Sequence, residues 1–421
     1  MIETKTLLPG VTFRAFHDTR FKQGALSLQF VRPMSSQEAA LNALLPSVLL
    51  RGTRRCPTLR AITEELDQLY GASVSPLVRR IGDYQTTGLY LSFMDDRFAL
   101  PGDAVLAPML SFLREILLDP LTEKGCFLPA LVESEKKNLI SAIESDLNDK
   151  RVYAMGQLLK IMCREDSFGI PRLGEPEQVA SITPEGLWNH YQEVLRTSPI
   201  EIFYVGSARP EEITRLLEPI FASIPRACAS LPPQSPLHPS AGQDSVETMD
   251  VAQGKLCMGF ITPITNRSRS FPAMQVMNTL FGSGMTSKLF QNIREKLSLC
   301  YSIGSGYYGS KGIVIVSAGI DFQQEKRTRE EVLRQLDACR NGEITDEELA
   351  AAREALLSTL RATHDSPSAI EGYYATAALS GLNMTPETYM DAIGQVTRAD
   401  VVSAANTLTL HTTYFLKGGS Q

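Results

Sequence analysis

Residues 281–301 read FGSGMTSKLFQNIREKLSLCY and hold the pattern that decides the fold. A glycine-rich turn comes first, a helical segment follows, and an apolar strand comes last. Arg294 lies in the helical segment and Tyr301 begins the strand seven residues later. Taken alone, the arginine could form a helix salt bridge and the tyrosine could be an ordinary strand aromatic. A phosphate-binding loop is excluded, because the glycine turn lacks the Gly-Lys-Ser/Thr ending and a preceding strand.

This stretch closely resembles the second lobe of the M16 (insulinase, pitrilysin and mitochondrial-processing-peptidase-like) zinc peptidases. The shared pattern is the glycine-rich turn, a Ser-Lys-Leu-Phe helix start, an Arg-Glu pair and the tyrosine seven residues after the arginine. The resemblance implies that Gly282, Gly284, Arg294 and Tyr301 bind substrate. It also implies that the arginine and the tyrosine reach the catalytic site of the other lobe. A guanidinium and a phenol suit this role, since both donate hydrogen bonds to a carbonyl oxygen that gains charge during attack.

The first lobe departs from the family pattern at the metal site. Active members carry His-x-x-Glu-His on the first helix, followed by an apolar run and a Gly-Thr turn. Anchored on the Gly-Thr pair at 52–53, the sequence places Ala43 and Ser47 at the histidine positions and Pro46 at the catalytic glutamate. Alanine has no donor atom, serine is a poor zinc ligand, and proline cannot act as a general base. Pro46 also removes a helix hydrogen bond and is expected to kink the segment.

No other part of the chain can rebuild that zinc site. The closest histidines are 47 residues apart (411 − 364 = 47), so no His-x-x-x-His pair occurs. The five histidines are His17, His190, His238, His364 and His411. The third zinc ligand of the family is a glutamate in a Glu-x-Glu-Lys context, and Glu133 occupies that position. One carboxylate does not hold zinc, so Glu133 is interpreted as a remnant that pairs with Lys137 on a helix surface.

Composition and charge limit the remaining functions. The chain has 421 residues, of which 43% are hydrophobic and 21% charged, and this is typical of a soluble globular protein with two or three domains. The net charge of −6 argues against nucleic-acid binding. No segment has the roughly 20 apolar residues that span a bilayer, so no membrane partner is expected. The N-terminus lacks a signal-peptide pattern and the seven cysteines are scattered, so a cytoplasmic location is expected.

The clearest boundary is the stretch 227–245, which holds four prolines and several serines. It predicts an N-terminal lobe over 1–226 with the degenerate zinc site, a linker over 227–247, and a C-terminal lobe over 248–421 with the Arg/Tyr motif. Both halves show the same order of predicted elements, including one long helix over 127–163 in the first. The predicted fold is α+β, with two homologous lobes, each a mainly antiparallel sheet covered by helices. The resemblance (M16/LuxS-metallohydrolase-like) implies that the lobes form a clam-shaped half-chamber.

An Arg/Tyr motif without a zinc site predicts a non-catalytic subunit. Some family members divide the work between a zinc-bearing chain and a homologous chain that supplies the Arg/Tyr pair. The resemblance, which extends to the YmfF-like bacterial subgroup without the zinc motif, implies no cofactor on this chain and zinc on a homologous partner in a heterodimer. The substrate is expected to be an unfolded peptide that docks as an added strand.

Alternatives stay open from the sequence alone. The chain could associate with itself when that partner is missing. It could also be a scaffold or interaction protein derived from the M16 fold, with no role in proteolysis. A metallopeptidase with unusual ligands is a third possibility, which the absence of histidine and cysteine clusters argues against. A neighbouring gene for a homologue with an intact zinc motif would favour the peptidase pair over the scaffold.

Overall fold

The computed structural model describes residues 2–237 and 241–419, so residues 238–240 of the predicted linker, His238 among them, lie outside the described residues. The strands are β1 (Ile2–Leu8), β2 (Val11–His17), β3 (Gln23–Pro33), β4 (Ser73–Ile81), β5 (Tyr84–Met94), β6 (Thr122–Glu123), β7 (Cys126–Phe127), β8 (Ile200–Gly206), β9 (Asp244–Met249), β10 (Gly254–Ile261), β11 (Cys300–Tyr308), β12 (Ile313–Ile320) and β13 (Thr409–Gly418). The helices are α1 (Ala39–Leu49), α2 (Leu59–Gln68), α3 (Leu106–Leu118), α4 (Pro129–Asn148), α5 (Lys150–Met162), α6 (Pro176–Ala180), α7 (Pro184–Thr197), α8 (Pro210–Ala222), α9 (Phe271–Gly282), α10 (Glu325–Arg340), α11 (Asp346–Ala362), α12 (Pro367–Ser380), α13 (Pro386–Gln395) and α14 (Arg398–Asn406). A π-helix spans Leu289–Lys296. Within the described part of the chain, no helix combines the length and the apolar character needed to cross a bilayer.

The first compact unit, unit 1, combines Met1–Glu144, Ile170–Pro233 and His364–Leu379. Its six-stranded sheet has the order β1-β2-β8-β3-β5-β4, and all neighbouring strands are antiparallel except the pair β2–β8. Successive side chains of a strand point to opposite faces, so Leu28 of β3 enters the main core that α1, α3, α7 and α8 share. Ser27 points to the other face and contacts α12. Helices therefore cover the sheet on both sides.

The second compact unit, unit 2, combines Ser145–Gly169, Gln234–Thr363 and Ser380–Gln421. Its five-stranded sheet has the order β11-β12-β10-β13-β9, antiparallel except for the pair β13–β9. The same order and the same directions occur in unit 1 as β4-β5-β3-β8-β2, with β1 as an additional edge strand. This shared topology confirms the predicted α+β fold and its duplication, with mainly antiparallel sheets covered by helices.

Each unit contains a helix from the other half of the sequence, which the contiguous boundaries at 226 and 248 did not predict. Helix α5 lies in unit 2 and packs on Cys257 of β10 and Ile315 of β12. Helix α12 lies in unit 1 and packs on Phe203 and Val205 of β8. The exchange is reciprocal. Helix α5 follows the long helix α4 of the first half and covers the sheet of unit 2, whereas α12 follows the long helix α11 of the second half and covers the sheet of unit 1.

The single long helix predicted over 127–163 is wrong, because the chain breaks between α4 and α5. Asp149 Oδ1 accepts the backbone N–H groups of Arg151 and Val152, at 2.9 and 3.3 Å. This N-cap satisfies donors of a new first turn and so starts a second helix. Helix α12 was not predicted either. The two segments that were misassigned are the two that are exchanged.

Buried ion pairs hold both exchanged segments. Glu371 of α12 is fully buried, and its carboxylate accepts both terminal nitrogens of Arg79 at 2.8 and 2.7 Å. Ser27 Oγ also donates to this carboxylate at 2.5 Å. In unit 2, Lys311 Nζ lies 3.0 Å from Asp166, which follows α5, and both side chains are buried. A buried charge needs such a partner, since an unpaired one is strongly destabilising.

Replacement of Glu371 should therefore destabilise unit 1. We expect Glu371→Ala to lower the free energy of unfolding by roughly 3 kcal/mol, because Arg79 loses its carboxylate in a partly buried position. The fluorescence of Trp188, the single tryptophan, follows unfolding of this unit in urea. Glu354→Ala is the matched control, since it removes an exposed ion pair with Arg361 and should change stability by less than about 1 kcal/mol. Equal losses in the two variants would contradict an anchoring role for Glu371.

Candidate functional site

The degenerate metal positions lie on α1 and are part of the packing of unit 1. Ala43 and Pro46 are buried, and Ser47 is half-buried. Helix α1 continues through Pro46 to Leu49, so the proline does not interrupt the helix. Proline has no N–H to donate to the carbonyl four residues earlier, and Thr87 Oγ1 of β5 instead donates to that Asn42 carbonyl at 2.6 Å. The sheet thus satisfies the acceptor that the proline leaves unpaired.

Beside the degenerate positions lies a buried amide–imidazole cluster. Asn42 Nδ2 donates to Gln85 Oε1 at 2.9 Å, and Gln85 Nε2 donates to the Ala39 carbonyl at 3.0 Å. These bonds orient Asn42 Oδ1 toward His190 Nε2, 2.8 Å away, so the imidazole carries its proton on that nitrogen. Burial lowers the pKa of His190 from 6.5 to about 4. This histidine is therefore neutral and acts as a hydrogen-bond donor in the core.

Glu133, at the position of the third zinc ligand, lies on α4 with its side chain 54% exposed. Its carboxylate accepts Lys136 Nζ at 2.7 Å, so the partner is the lysine three residues later and the predicted pairing with Lys137 is wrong. Lys136 is fixed by a second bond to the Ile182 carbonyl at 2.9 Å. Across the described residues, no group of three or more His, Cys, Asp and Glu side chains is arranged to hold a metal ion.

The glycine turn at the end of α9 requires glycine for two different reasons. A Cβ on Gly282 would lie 2.5 Å from Ser305 Oγ and 2.7 Å from Leu289 Cδ1, which is closer than packing allows. Gly284 has open space around it but a φ of +103°, a backbone conformation that favours glycine. The turn therefore brings the backbone close to β11 and leads into the π-helix.

Arg294 and Tyr301 both belong to unit 2; Arg294 is partly exposed and Tyr301 is exposed. The Arg294 guanidinium lies 4.6 Å above the Phe290 ring, and its Nη1 is 3.4 Å from Glu295. Tyr301 is 61% exposed, and its hydroxyl donates to Asp321 Oδ1 at 3.0 Å. This hydrogen bond raises the pKa of Tyr301, since it stabilises the protonated phenol. Arg294 thus keeps donor groups at the surface, whereas the single hydroxyl proton of Tyr301 is engaged by Asp321.

A cavity of about 450 Å³ connects the elements that carry these residues. Its lining comprises Arg151, Met155, Gly282, Ser283, Gly284, Met285, Phe290, Ser302, Ile303, Gly304, Ser305, Gly306, Ile315 and Ser317. The predicted glycines line it directly, Arg294 contacts it through Phe290, and Tyr301 precedes its β11 residues. Arg151 and Met155 were not among the predicted site residues, because both come from the exchanged helix α5. The Asp149 N-cap was the available signal that α5 is a separate helix.

Comparisons with known proteins agree with this architecture. Residues 181–356 match the family model described as the peptidase M16 inactive domain. The chain is 28% identical over 416 residues to a probable inactive metalloprotease, YmfF, of Bacillus subtilis (strain 168), and the match covers 99% of this chain and 98% of that protein. A solved structure of a conserved protein from Enterococcus faecalis V583 has a TM-score of 0.92 at 26% identity and covers 100% of this chain and 99% of that one. A peptidase M16 inactive domain from Pseudomonas fluorescens has a TM-score of 0.82 at 16% identity, with 100% and 98% coverage.

These likenesses confirm the resemblance to the M16 peptidases that the glycine turn and the Arg/Tyr motif indicated. They also confirm the resemblance to bacterial members of the YmfF type. The chain is similar to M16 peptidases, among them a relative described as a probable inactive metalloprotease. The degenerate residues of α1 are consistent with that description, since none of the side chains at 43, 46 and 47 can replace a zinc ligand or the catalytic base.

The bond from Thr87 to α1 can be tested with Pro46. Thr87→Val should lower the free energy of unfolding by about 1–2 kcal/mol, because the buried Asn42 carbonyl loses its donor. In a Pro46→Ala background the new backbone N–H can donate to that carbonyl, so the same change should cost about 1 kcal/mol less. Urea titrations of the four proteins measure this coupling. An identical cost in both backgrounds would show that the hydroxyl does not compensate for the proline.

The buried imidazole makes stability depend on pH. Between about pH 4 and 6.5 the unfolded chain binds a proton at His190 that the folded chain does not, so stability should rise with pH in that window. From pH 6.5 down to pH 4, the native chain should lose roughly 3 kcal/mol more than His190→Gln, which cannot titrate there. Chemical denaturation at several pH values measures this difference. Parallel pH profiles for the two proteins would disprove a neutral buried His190.

Proposed function

We propose that this chain is a non-catalytic peptide-binding subunit that supplies Arg294 and Tyr301 to a homologous zinc-bearing M16 chain. The observation that carries the proposal is that Tyr301 is exposed and Arg294 is partly exposed beside the cavity that the glycine turn lines. Catalysis of peptide hydrolysis requires donors placed where negative charge develops on the carbonyl oxygen. The Arg294 guanidinium stacked on Phe290 is a suitable donor, and the Tyr301 hydroxyl would become one by exchanging its bond to Asp321 for the carbonyl oxygen.

An unfolded peptide is the proposed substrate, and β11 is the proposed docking strand. β11 is an edge of the unit 2 sheet, with β12 as its strand neighbour. It is more exposed than β12, whose residues are almost all buried. An edge strand presents backbone N–H and C=O groups that can pair with an extended peptide independently of its sequence. Tyr301 lies at the start of this strand and would therefore lie close to a docked peptide.

Zinc, the attacking water and the general base are assigned to the partner chain in this proposal. The degenerate α1 offers none of the required groups, whereas the Arg/Tyr motif would be functional only beside a zinc site. We place the heterodimer in the cytoplasm, because the scattered cysteines fit a reducing compartment. Self-association and a scaffold role without proteolysis are the alternatives that the cleavage experiment below is designed to distinguish from this proposal.

The test is peptide cleavage by this chain, by a homologous chain with an intact His-x-x-Glu-His motif, and by their mixture. An internally quenched, unfolded peptide reports the rate. We expect rapid cleavage in the mixture alone, and roughly a hundredfold slower cleavage with Tyr301→Phe or Arg294→Ala, since each removes a donor to the developing oxyanion.

Tyr70→Phe is the matched control for Tyr301→Phe. Tyr70 is also an exposed tyrosine that donates to an aspartate, Asp103, but it lies in unit 1. It should leave the rate of the mixture unchanged. A mixture that cleaves no faster than the zinc-bearing chain alone would favour the scaffold. Cleavage by this chain alone would overturn the assignment of a non-catalytic subunit.

A further inference from the structure

Arg151 is an unpaired cation at the cavity described above. It lies in the first turn of α5, its side chain is exposed, and it lines the cavity together with Met155 one turn later. Its backbone N–H is engaged by Asp149 Oδ1, which also caps Val152. In the described part of the chain, no carboxylate forms an ion pair with the Arg151 guanidinium. The charge is therefore available to a molecule in the cavity.

Arg151 lies near one carboxylate, Asp149, and near two sources of positive charge, a helix end and Lys255. The N-terminal end of a helix carries partial positive charge, which repels a cation in the first turn. Lys255 is a second nearby cation. Burial lowers its pKa, Asp149 raises it, and the Arg151 charge lowers it. Asp149 attracts Arg151 and offsets part of this repulsion, and an anion bound beside Arg151 would relieve more of it.

The walls of the cavity suit an extended peptide with one side chain pointing inward. Ser302, Gly304 and Gly306 alternate along β11 and pair with Gly319, Ser317 and Ile315 of β12. They therefore lie on one face of the sheet. Because their side chains are small, this face is open, and Met155 and Phe290 form the walls of the cavity above it. A Cβ on Gly306 would meet no atom within 4 Å, so this space is open. A peptide strand paired with β11 would direct alternate side chains to this face.

We propose that this cavity is a subsite for a carboxylate of a peptide paired with β11, and that Arg151 selects for it. The inference rests on the proposed function, because it requires β11 to be the docking strand. The aliphatic part of a glutamate would contact Met155 and Phe290, and its carboxylate would accept hydrogen bonds from the guanidinium. An aspartate or glutamate side chain and the C-terminal carboxylate of a peptide share this chemistry.

The test measures binding of unfolded, acetylated ten-residue peptides by calorimetry, to this chain alone and mixed with its zinc-bearing homologue inactivated by removal of zinc. One peptide carries a central glutamate and an amidated C-terminus, its partner carries glutamine, and a third carries glutamine with a free C-terminus. We expect the glutamate peptide to bind roughly fivefold more tightly than the glutamine peptide, and the preference to fall with added salt. Arg151→Gln should remove the preference without abolishing binding.

Lys150→Gln is the control, because it removes a cation from the same helical turn that does not line the cavity. It should keep the preference for glutamate. Gly306→Val, which the open space tolerates, should weaken binding of both peptides by filling the subsite. A preference confined to the free C-terminus would assign the subsite to terminal carboxylates.

The outcomes separate this inference from the proposed function. If no peptide binds in either condition, the peptide-binding function itself is wrong and the inference falls with it. If peptides bind but glutamate and glutamine bind equally, or if Arg151→Gln keeps the preference, the carboxylate subsite is wrong and peptide binding stands.

Discussion

Each sheet has two faces that are apolar or partly apolar, so helices must cover both faces. In each unit, the helix on one of these faces comes from the other half of the sequence. Two ion pairs determine which helix covers which sheet, so apolar contacts are not the sole basis of the exchange. They are Glu371 with Arg79 in unit 1 and Lys311 with Asp166 in unit 2. A misplaced helix would leave a charge buried without its partner, and that costs several kcal/mol. The cavity in unit 2 depends on the same constraint, since Arg151 and Met155 reach β11 only because α5 is exchanged.

The first helix is an ordinary packing element. At the positions predicted for a zinc ligand and for the catalytic base, this chain has Ala43 and Pro46, both buried. The proline removes one backbone donor, and Thr87 supplies another from the neighbouring strand. His190 is likewise used in the core, where its imidazole holds the orientation of Asn42. The polar side chains of Asn42, Gln85, Thr87 and His190 are satisfied by hydrogen bonds within the protein.

The sequence was sufficient for features that depend on local chemistry. The absence of a His-x-x-Glu-His motif and the α+β pattern follow from residue type and spacing. The exchange could not be predicted, because α5 and α12 each have apolar residues that could pack on either sheet. No local sequence signal indicates which of the two sheets each helix covers. The Glu133 partner was assigned one residue too far along α4, since positions three and four residues later are both neighbours on a helix. The subsite residue Arg151 was missed because its partners in space lie more than 130 residues away (282 − 151 = 131).

The reciprocal exchange also determines when the chain can fold during its own synthesis. A ribosome makes α12 only near the end of the 421 residues, so the face of β3 and β4 that carries Ser27 and Arg79 stays uncovered until then. Helix α5 must likewise wait for β10, β12 and β13 before its apolar side is buried. Such long-range pairings delay closure of both cores. The N-terminal half therefore cannot complete its fold as an independent domain before α12 of the second half has been made.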